Sequence, residues 1–160
     1  MKRAIVSMML VACLSLPADS QSKQISLAEA TKQVNQISDR FTDGYDKHDA
    51  AALAGLFTPD AVMVLPSGAP FKGSEAIKQA WANFFAGPGK NFTHESTVDD
   101  VRLLGPGGVW AIGRSTTKSE GKVVSKGHWV AAYRVKNGHL VADLLSIGAD
   151  IPPPAKAAQK

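Results

Sequence analysis

Three polar side chains in apolar surroundings are the first candidates for chemistry in this sequence. Asp143 could act as a base, Arg114 could hold an anionic ligand, and Tyr45 could donate a hydrogen bond. Because an isolated buried charge is very costly, we expect Arg114 and Asp143 to be paired on an inward face. The alternatives are a structural ion pair or positions at the sheet rim, and an ordinary core position for Tyr45.

Aromatic and apolar residues share the predicted inner faces with these side chains. Residues two apart in a strand point to the same side, and this alternation places Arg114 and Asp143 among aromatic strand residues. The predicted wall consists of Phe41, Met63, Leu65, Trp81, Phe85, Trp110, Thr116, Trp129 and Tyr133. Because small-molecule sites are usually apolar with a few polar groups, this set predicts a ligand pocket, with an ordinary core as the alternative.

The other reactive residues form no recognisable site. None of the four histidines stands at a metal-binding spacing from another, so no metal site is predicted, and His94 is interpreted as a surface residue with the pocket as the alternative. Asp99 and Asp100 are adjacent in a strand and are expected on opposite faces. The sequence has no phosphate-binding or nucleophile-elbow signature, and no cofactor is predicted.

The composition indicates one globular domain. The chain has 160 residues, 44% of them hydrophobic, which suits a single domain with a sizeable core. Its net charge is +4, but no run of Lys or Arg exceeds two residues and no aromatic residues interleave with a basic stripe. Nucleic acid is therefore not expected as a partner. The single cysteine excludes an internal disulfide framework.

The segment before Gln21 has the features of a secretory signal peptide. Lys2 and Arg3 form a basic start, residues 4–16 are almost wholly apolar, and small residues precede a cleavage site. This combination is typical of a segment that a signal peptidase removes. We therefore expect residues 1–20 to be absent from the mature protein.

The same segment allows a second interpretation, because Leu10–Cys13 also resembles a bacterial lipobox. Leu14 and Leu16 continue the apolar run past Cys13, which favours ordinary cleavage. The run is too short to cross a bilayer as a stable helix, which takes about 20 residues. We expect a periplasmic or secreted protein without stable membrane insertion, and lipid anchoring through Cys13 is the alternative.

Capping residues and apolar spacing predict helices in the first half of the chain. Ser26 and Glu29 form a capping box, after which apolar residues recur every three or four positions. The predicted elements are this helix to Tyr45, a helix at 50–57, a buried strand at 61–65 and a helix that begins at Ser74.

The second half predicts an antiparallel meander, because strand-like segments follow one another without a helix pattern. Asn137-Gly138 is a strong hairpin signal, since a type I′ turn needs two residues with positive φ. We assign residues 21–149 to the domain and residues 150–160 to a loose tail. The predicted strands are 92–104, 109–117, 123–135 and 139–147.

Residues 45–62 and 71–81 resemble the SnoaL-like, steroid-isomerase-like branch of the nuclear transport factor 2-like superfamily. They are most similar to domains of unknown function near the calcium/calmodulin-dependent kinase II association domain. The resemblance implies an α+β, cone-shaped fold with three N-terminal helices packed on a curved antiparallel sheet. It also implies a homodimer through the outer sheet face, which carries Val130, Ala132 and Arg134.

Transfer of the steroid isomerase site to this sequence gives a negative result. The positions of the general base and the two oxyanion donors correspond to Leu65, Phe41 and Ala131. Without a base or donors that reaction has no proton acceptor and no stabilised enolate, so it is not expected. Asp143 matches an acidic position that is frequent in the family.

We therefore expect an exported SnoaL-like domain that binds a small apolar or weakly anionic molecule in its pocket. The first alternative is an enzyme, such as an isomerase, cyclase or hydrolase, with Asp143 as the base. The second alternative is an oligomeric assembly module.

Overall fold

The structure is a computed structural model that describes residues 25–150. The predicted signal peptide, the alternative at Cys13 and most of the predicted tail lie outside the described residues. The elements are α1 (Leu27–Asp46), α2 (Ala50–Ala54), β1 (Phe57–Val64), β2 (Pro70–Lys72), α3 (Ser74–Ala86), β3 (Phe92–Leu103), β4 (Gly108–Ser119), β5 (Lys122–Lys136) and β6 (His139–Ala149).

The two N-terminal helices begin at the capping residues that the sequence indicates. The Glu29 N–H donates to Ser26 Oγ over 3.2 Å, and the Ala52 N–H donates to the Asp49 carboxylate over 2.9 Å. These bonds satisfy N–H groups that the first turn leaves without a helical partner. Helix α2 ends at Ala54, with Gly55 as its C-cap, and not at the predicted residue 57, because Phe57 is the first residue of strand β1. No helix within the described residues is long and apolar enough to cross a membrane.

The six strands form one curved, open sheet in the order β2-β1-β6-β5-β4-β3. The antiparallel meander of β3 to β6 agrees with the sequence prediction, and β1 pairs with β6 in parallel. The turn at Asn137-Gly138 has φ values of 52° and 81°, as a type I′ hairpin requires. Strand β2 was not predicted, because it is only three residues long and follows a proline- and glycine-rich turn.

Two β-bulges decide which side chains face the helices. Asp99 is the extra residue where β3 pairs with β4, and Asp143 is the extra residue where β6 pairs with β5. A bulge inserts one residue into one strand, so the alternation of faces is shifted by one residue beyond it. Simple counting along β3 or β6 therefore assigns the wrong face on one side of the bulge.

The core lies between the three helices and the concave face of the sheet. Val34, Met63 and Ile77 are completely buried there, together with Val109 and Ala111 of β4. The N–H of His94, on the edge strand β3, donates to the Asp46 carboxylate of α1 over 2.7 Å. This contact holds α1 against the sheet edge, and the arrangement confirms the predicted α+β cone.

Candidate functional site

Two adjoining hollows lie between the helices and the concave face of the sheet. The inner hollow has a volume of about 60 Å³ and the outer one about 240 Å³. They meet at Phe41, His94, Ser115 and Ile147, which line both. The inner hollow is completed by Ser38, Ser96, Trp129, Tyr133 and Leu145.

A small network of polar side chains surrounds the inner hollow. The Trp129 indole N–H and the Ser38 hydroxyl both donate to Ser96 Oγ, each over 3.0 Å. The bond between Ser38 and Ser96 uses only one of their two hydroxyl protons, and when Ser38 is the donor the Ser96 proton has no acceptor among the described residues. The Tyr133 hydroxyl also has no hydrogen-bond partner there, although the residue is only 6% exposed. The hollow therefore offers hydroxyl groups that can still donate.

The imidazole of His94 lies at the junction of the two hollows. Its ring packs against Phe41 at 5.4 Å and Tyr45 at 5.0 Å between ring centroids, and Nδ1 is 3.4 Å from Thr42 Oγ1. Burial lowers the pKa of His94 to about 4, and the nearby carboxylates of Asp46 and Glu95 offset only part of this effect. The imidazole is therefore neutral at physiological pH.

Aromatic rings from α1, α3 and β3 form the outer hollow. Tyr45 packs edge-on against Trp81, with 5.7 Å between ring centroids, and Phe84 and Phe92 extend the cluster. Burial raises the pKa of Tyr45 to about 12, and the neighbouring Thr117 side chain offsets part of that effect. Tyr45 thus remains protonated. The buried Trp81 N–H has no hydrogen-bond partner within the described residues and lies among these rings.

A glycine on β4 makes room for the indole of Trp129, which lines the inner hollow. Gly113 pairs with Trp129 across β4 and β5. A Cβ atom at Gly113 would lie 2.4 Å from Trp129 Cζ2 and 2.0 Å from the Thr97 carbonyl oxygen. The indole can lie across β4 only because residue 113 has no side chain.

The structure places six of the predicted site residues in the walls of the hollows. Met63 and Phe85 are buried in the core but line neither hollow. They pack behind the wall, and Phe85 contacts Tyr45 at 5.3 Å between ring centroids. The six wall residues are Phe41, Tyr45, Leu65, Trp81, Trp129 and Tyr133.

The predicted inward placement of Arg114, Trp110 and Thr116 is wrong. The inward residues of β4 have the opposite parity: Ala111 is buried in the core and Ser115 lines the hollow. Because side chains alternate along a strand, a face assignment that is wrong by one residue reverses the whole strand. Arg114 lies 73% exposed on the outer face, where its guanidinium pairs with Asp99 over 2.9 Å. Trp110 contacts the Arg102 guanidinium on the same face, at 5.6 Å from the ring centroid.

The predicted inward placement of Asp143 is also wrong, for a different reason. Asp143 is the bulged residue of β6, so it points to the outer face although Leu145, two residues later, faces inward. Its carboxylate accepts hydrogen bonds from Thr58 Oγ1, over 3.0 Å, and from Arg134. Asp143 therefore belongs to a structural ion pair, which was the alternative interpretation, with Arg134 in place of Arg114.

Sequence reasoning missed the serines and assigned His94 to the surface. Ser38, Ser96 and Ser115 are small polar residues on apolar elements, and their types give no signal for a pocket. A usable signal was the run Ala111, Gly113, Ser115, whose small side chains leave space opposite a large one such as Trp129. Asp99 and Asp100 do not point to opposite faces, because the bulge interrupts the alternation: Asp99 pairs with Arg114 and Asp100 with Arg102. No cluster of three or more metal-ligating side chains occurs within residues 25–150.

Comparison with known proteins relates this geometry to a family and a fold. The family model of the SnoaL-like domain matches residues 38–142, which contain both hollows except for the end of β6. No match was found among curated proteins.

Solved structures with the same fold come from several bacteria. A domain of unknown function with a cystatin-like fold from Nostoc punctiforme superposes with a TM-score of 0.73 at 14% identity, covering 81% of this chain and 82% of that chain. An NTF2-like protein from Novosphingobium aromaticivorans gives a TM-score of 0.68 at 18% identity, with 82% and 86% covered. A putative calcium/calmodulin-dependent protein kinase type II association domain from Thiobacillus denitrificans gives 0.64 at 14% identity, with 73% and 94% covered. At these identities the likeness concerns the fold alone.

Proposed function

The chain belongs to the SnoaL-like domain family, and on that premise we propose that it binds a small, largely apolar molecule in the two adjoining hollows. The observation that carries the proposal is unfilled space among aromatic and aliphatic side chains in the centre of the cone. Protein interiors are otherwise packed as densely as organic crystals, so such a space is an exception. Ligand sites are typically apolar concavities with a few polar groups.

The size of the hollows and the absence of charged side chains among the described residues of their walls restrict the kinds of molecule that can bind there. About 240 Å³ in the outer hollow accommodates a body of the size of one aromatic ring with substituents, and the inner hollow adds about 60 Å³. No Lys, Arg, Asp or Glu of the described residues lines either hollow. The expected weakly anionic ligand depended on Arg114, and the outward position of Arg114 gives that part of the expectation no support.

Calorimetric titration with α-methylstyrene, an apolar molecule with one ring, tests the proposal. We expect the wild-type protein to bind this probe and the variant Ser115→Leu to lose binding, because a leucine at the junction extends into the space where the two hollows meet. Thr116→Leu is the matched control. It adds the same side chain at the next position, on the outer face, and should bind as the wild type does.

Absence of binding to the wild-type protein would refute the proposed site for apolar molecules of this size. Equal binding by Ser115→Leu and Thr116→Leu would show that the probe binds elsewhere. Circular dichroism spectra of the variants establish that each has folded.

The alternatives receive less support than ligand binding. Asp143 cannot reach a molecule in the hollows from the outer face, where it is bound to Arg134. His94 does face the hollows, but its low pKa makes it a weak general base. An assembly module needs no hollow, so the unfilled volume favours a ligand-binding protein.

We further propose that the protein is exported and pairs as a homodimer through the outer sheet face. The features of residues 1–20 support export into the periplasm or the medium. Val130 and Leu144, which are 40% and 38% exposed, form with Ile112 an apolar patch on the outer face that a second copy would cover.

A further inference from the structure

The inner hollow carries hydrogen-bond donors that have no partner in the protein. Tyr133 is buried, its hydroxyl has no partner within residues 25–150, and burial raises its pKa, so it remains a donor. Ser96 Oγ accepts from Trp129, and its bond with Ser38 uses only one of the two hydroxyl protons, so with Ser38 as the donor the Ser96 proton is left to donate. An oxygen atom of a ligand that accepts from these hydroxyl groups takes the place of water, which otherwise accepts from them.

The charge of the surroundings decides which acceptor fits. The two titratable residues that line the inner hollow, His94 and Tyr133, are both neutral at physiological pH, and no Lys or Arg of residues 25–150 lines it. A carboxylate would leave water without gaining an opposite charge, which is strongly unfavourable. A carbonyl or hydroxyl oxygen loses much less on leaving water and can accept from two hydroxyl groups.

We propose that the inner hollow selects an uncharged ligand whose carbonyl or hydroxyl oxygen accepts hydrogen bonds from Tyr133 and Ser96. The apolar body of that ligand occupies the outer, aromatic hollow. This inference rests on the proposed function and adds to it the chemical class of the ligand. The two hollows meet at His94 and Ser115, so one molecule can occupy both.

Three probes with the same skeleton of non-hydrogen atoms test the inference. Acetophenone carries a neutral carbonyl oxygen, α-methylstyrene carries a methylene group in its place, and benzoate carries a carboxylate. We expect the wild-type protein to bind acetophenone about two- to tenfold more tightly than α-methylstyrene, the range of one net hydrogen bond. Benzoate should bind more weakly than acetophenone.

Two variants test whether the hydroxyl groups of Tyr133 and Ser96 cause the preference for acetophenone over α-methylstyrene. In Tyr133→Phe, which removes only the hydroxyl group, the ratio of the acetophenone affinity to the α-methylstyrene affinity should fall towards one. In Ser96→Ala the ratio should fall as well. Thr97→Val removes a hydroxyl group from the neighbouring, exposed position of β3 and should keep the wild-type ratio.

The outcomes separate this inference from the proposed function. Equal binding of acetophenone and α-methylstyrene, or a ratio unchanged in Tyr133→Phe and Ser96→Ala, would overturn the inference while ligand binding in the hollow stands. Benzoate binding as tight as acetophenone binding would overturn the uncharged class. Failure of all three probes to bind would overturn both proposals.

Discussion

Replacing His94 by glutamine should remove a defined part of the acid sensitivity of the fold. His94 has a pKa of about 4 in the folded protein because of its burial, whereas an imidazole in the unfolded chain titrates near 6.5. The unfolded state therefore binds a proton more readily, and acid favours unfolding. The stability due to the neutral imidazole is fully present above about pH 6.5, is lost as the pH falls towards 4, and changes little below that.

The difference between the two pKa values corresponds to about 3 kcal/mol in the free energy of unfolding, of which about 2 kcal/mol is lost between about pH 7.5 and about pH 4.5. Urea unfolding at both pH values measures this loss. Other groups titrate in the same range, so the informative quantity is the difference between the wild type and His94→Gln.

His139→Gln is the control, because His139 is exposed at the hairpin turn. It should keep the pH dependence of the wild type, whereas His94→Gln should be less sensitive to acid by about 2 kcal/mol. If acidification lowered the free energy of unfolding of His94→Gln as much as that of the wild type, the prediction that His94 is buried and neutral would be refuted. The same outcome would also refute the description of the hollow as a site without charge.

Three further predictions concern the wall of the hollow, the outer face and the N-terminus. Gly113→Ala should lower the free energy of unfolding, measured in urea, by about 1–3 kcal/mol, because the added Cβ overlaps Trp129 and the Thr97 carbonyl. Gly55→Ala, where the added Cβ makes only ordinary contacts, should have little effect, and equal effects of the two variants would contradict the close approach at Gly113. Val130→Glu should convert a homodimer into a monomer in sedimentation experiments, and Val124→Glu at the exposed tip of the β4–β5 hairpin should not; a monomeric wild type would refute the dimer. Mass spectrometry of the mature protein should find Gln21 at the N-terminus, and a lipid on Cys13 would replace that prediction by membrane anchoring.

The elements of the fold were predictable because their signals are local. The capping residues Ser26 and Asp49 and the Asn137-Gly138 turn act within a few residues of themselves, and the structure has the helices and the hairpin that they indicate. The order of helices and strands then restricts the architecture to a helical layer on an antiparallel sheet. These predictions needed no knowledge of contacts between distant residues.

The faces of two strands were not predictable, because they depend on contacts across the sheet. Around Trp110 and Ala111, strand β4 is apolar on both sides, so alternation alone does not predict which of the two residues faces the helices. The face is determined by Trp129 of β5, whose indole occupies the space over Gly113. On β6 the bulge at Asp143 depends on pairing with β5, and the residues of β6 carry no separate signal for it. The predicted pair of Arg114 and Asp143 failed on both counts.

Charged and uncharged side chains alternate along the strands of this sheet, but none of the charged ones that the structure describes faces the hollows. Every described Lys, Arg, Asp and Glu lies outside the hollows, and the inner face keeps hydroxyl groups, one neutral imidazole and aromatic rings. The three structures of the same fold described above are only 14–18% identical to this chain, so the fold itself does not determine what the hollow binds. The chemical class of the proposed ligand therefore has to be inferred from the inward side chains. A hollow with unpaired donors and no charge is complementary to a neutral molecule that carries an oxygen acceptor at one end.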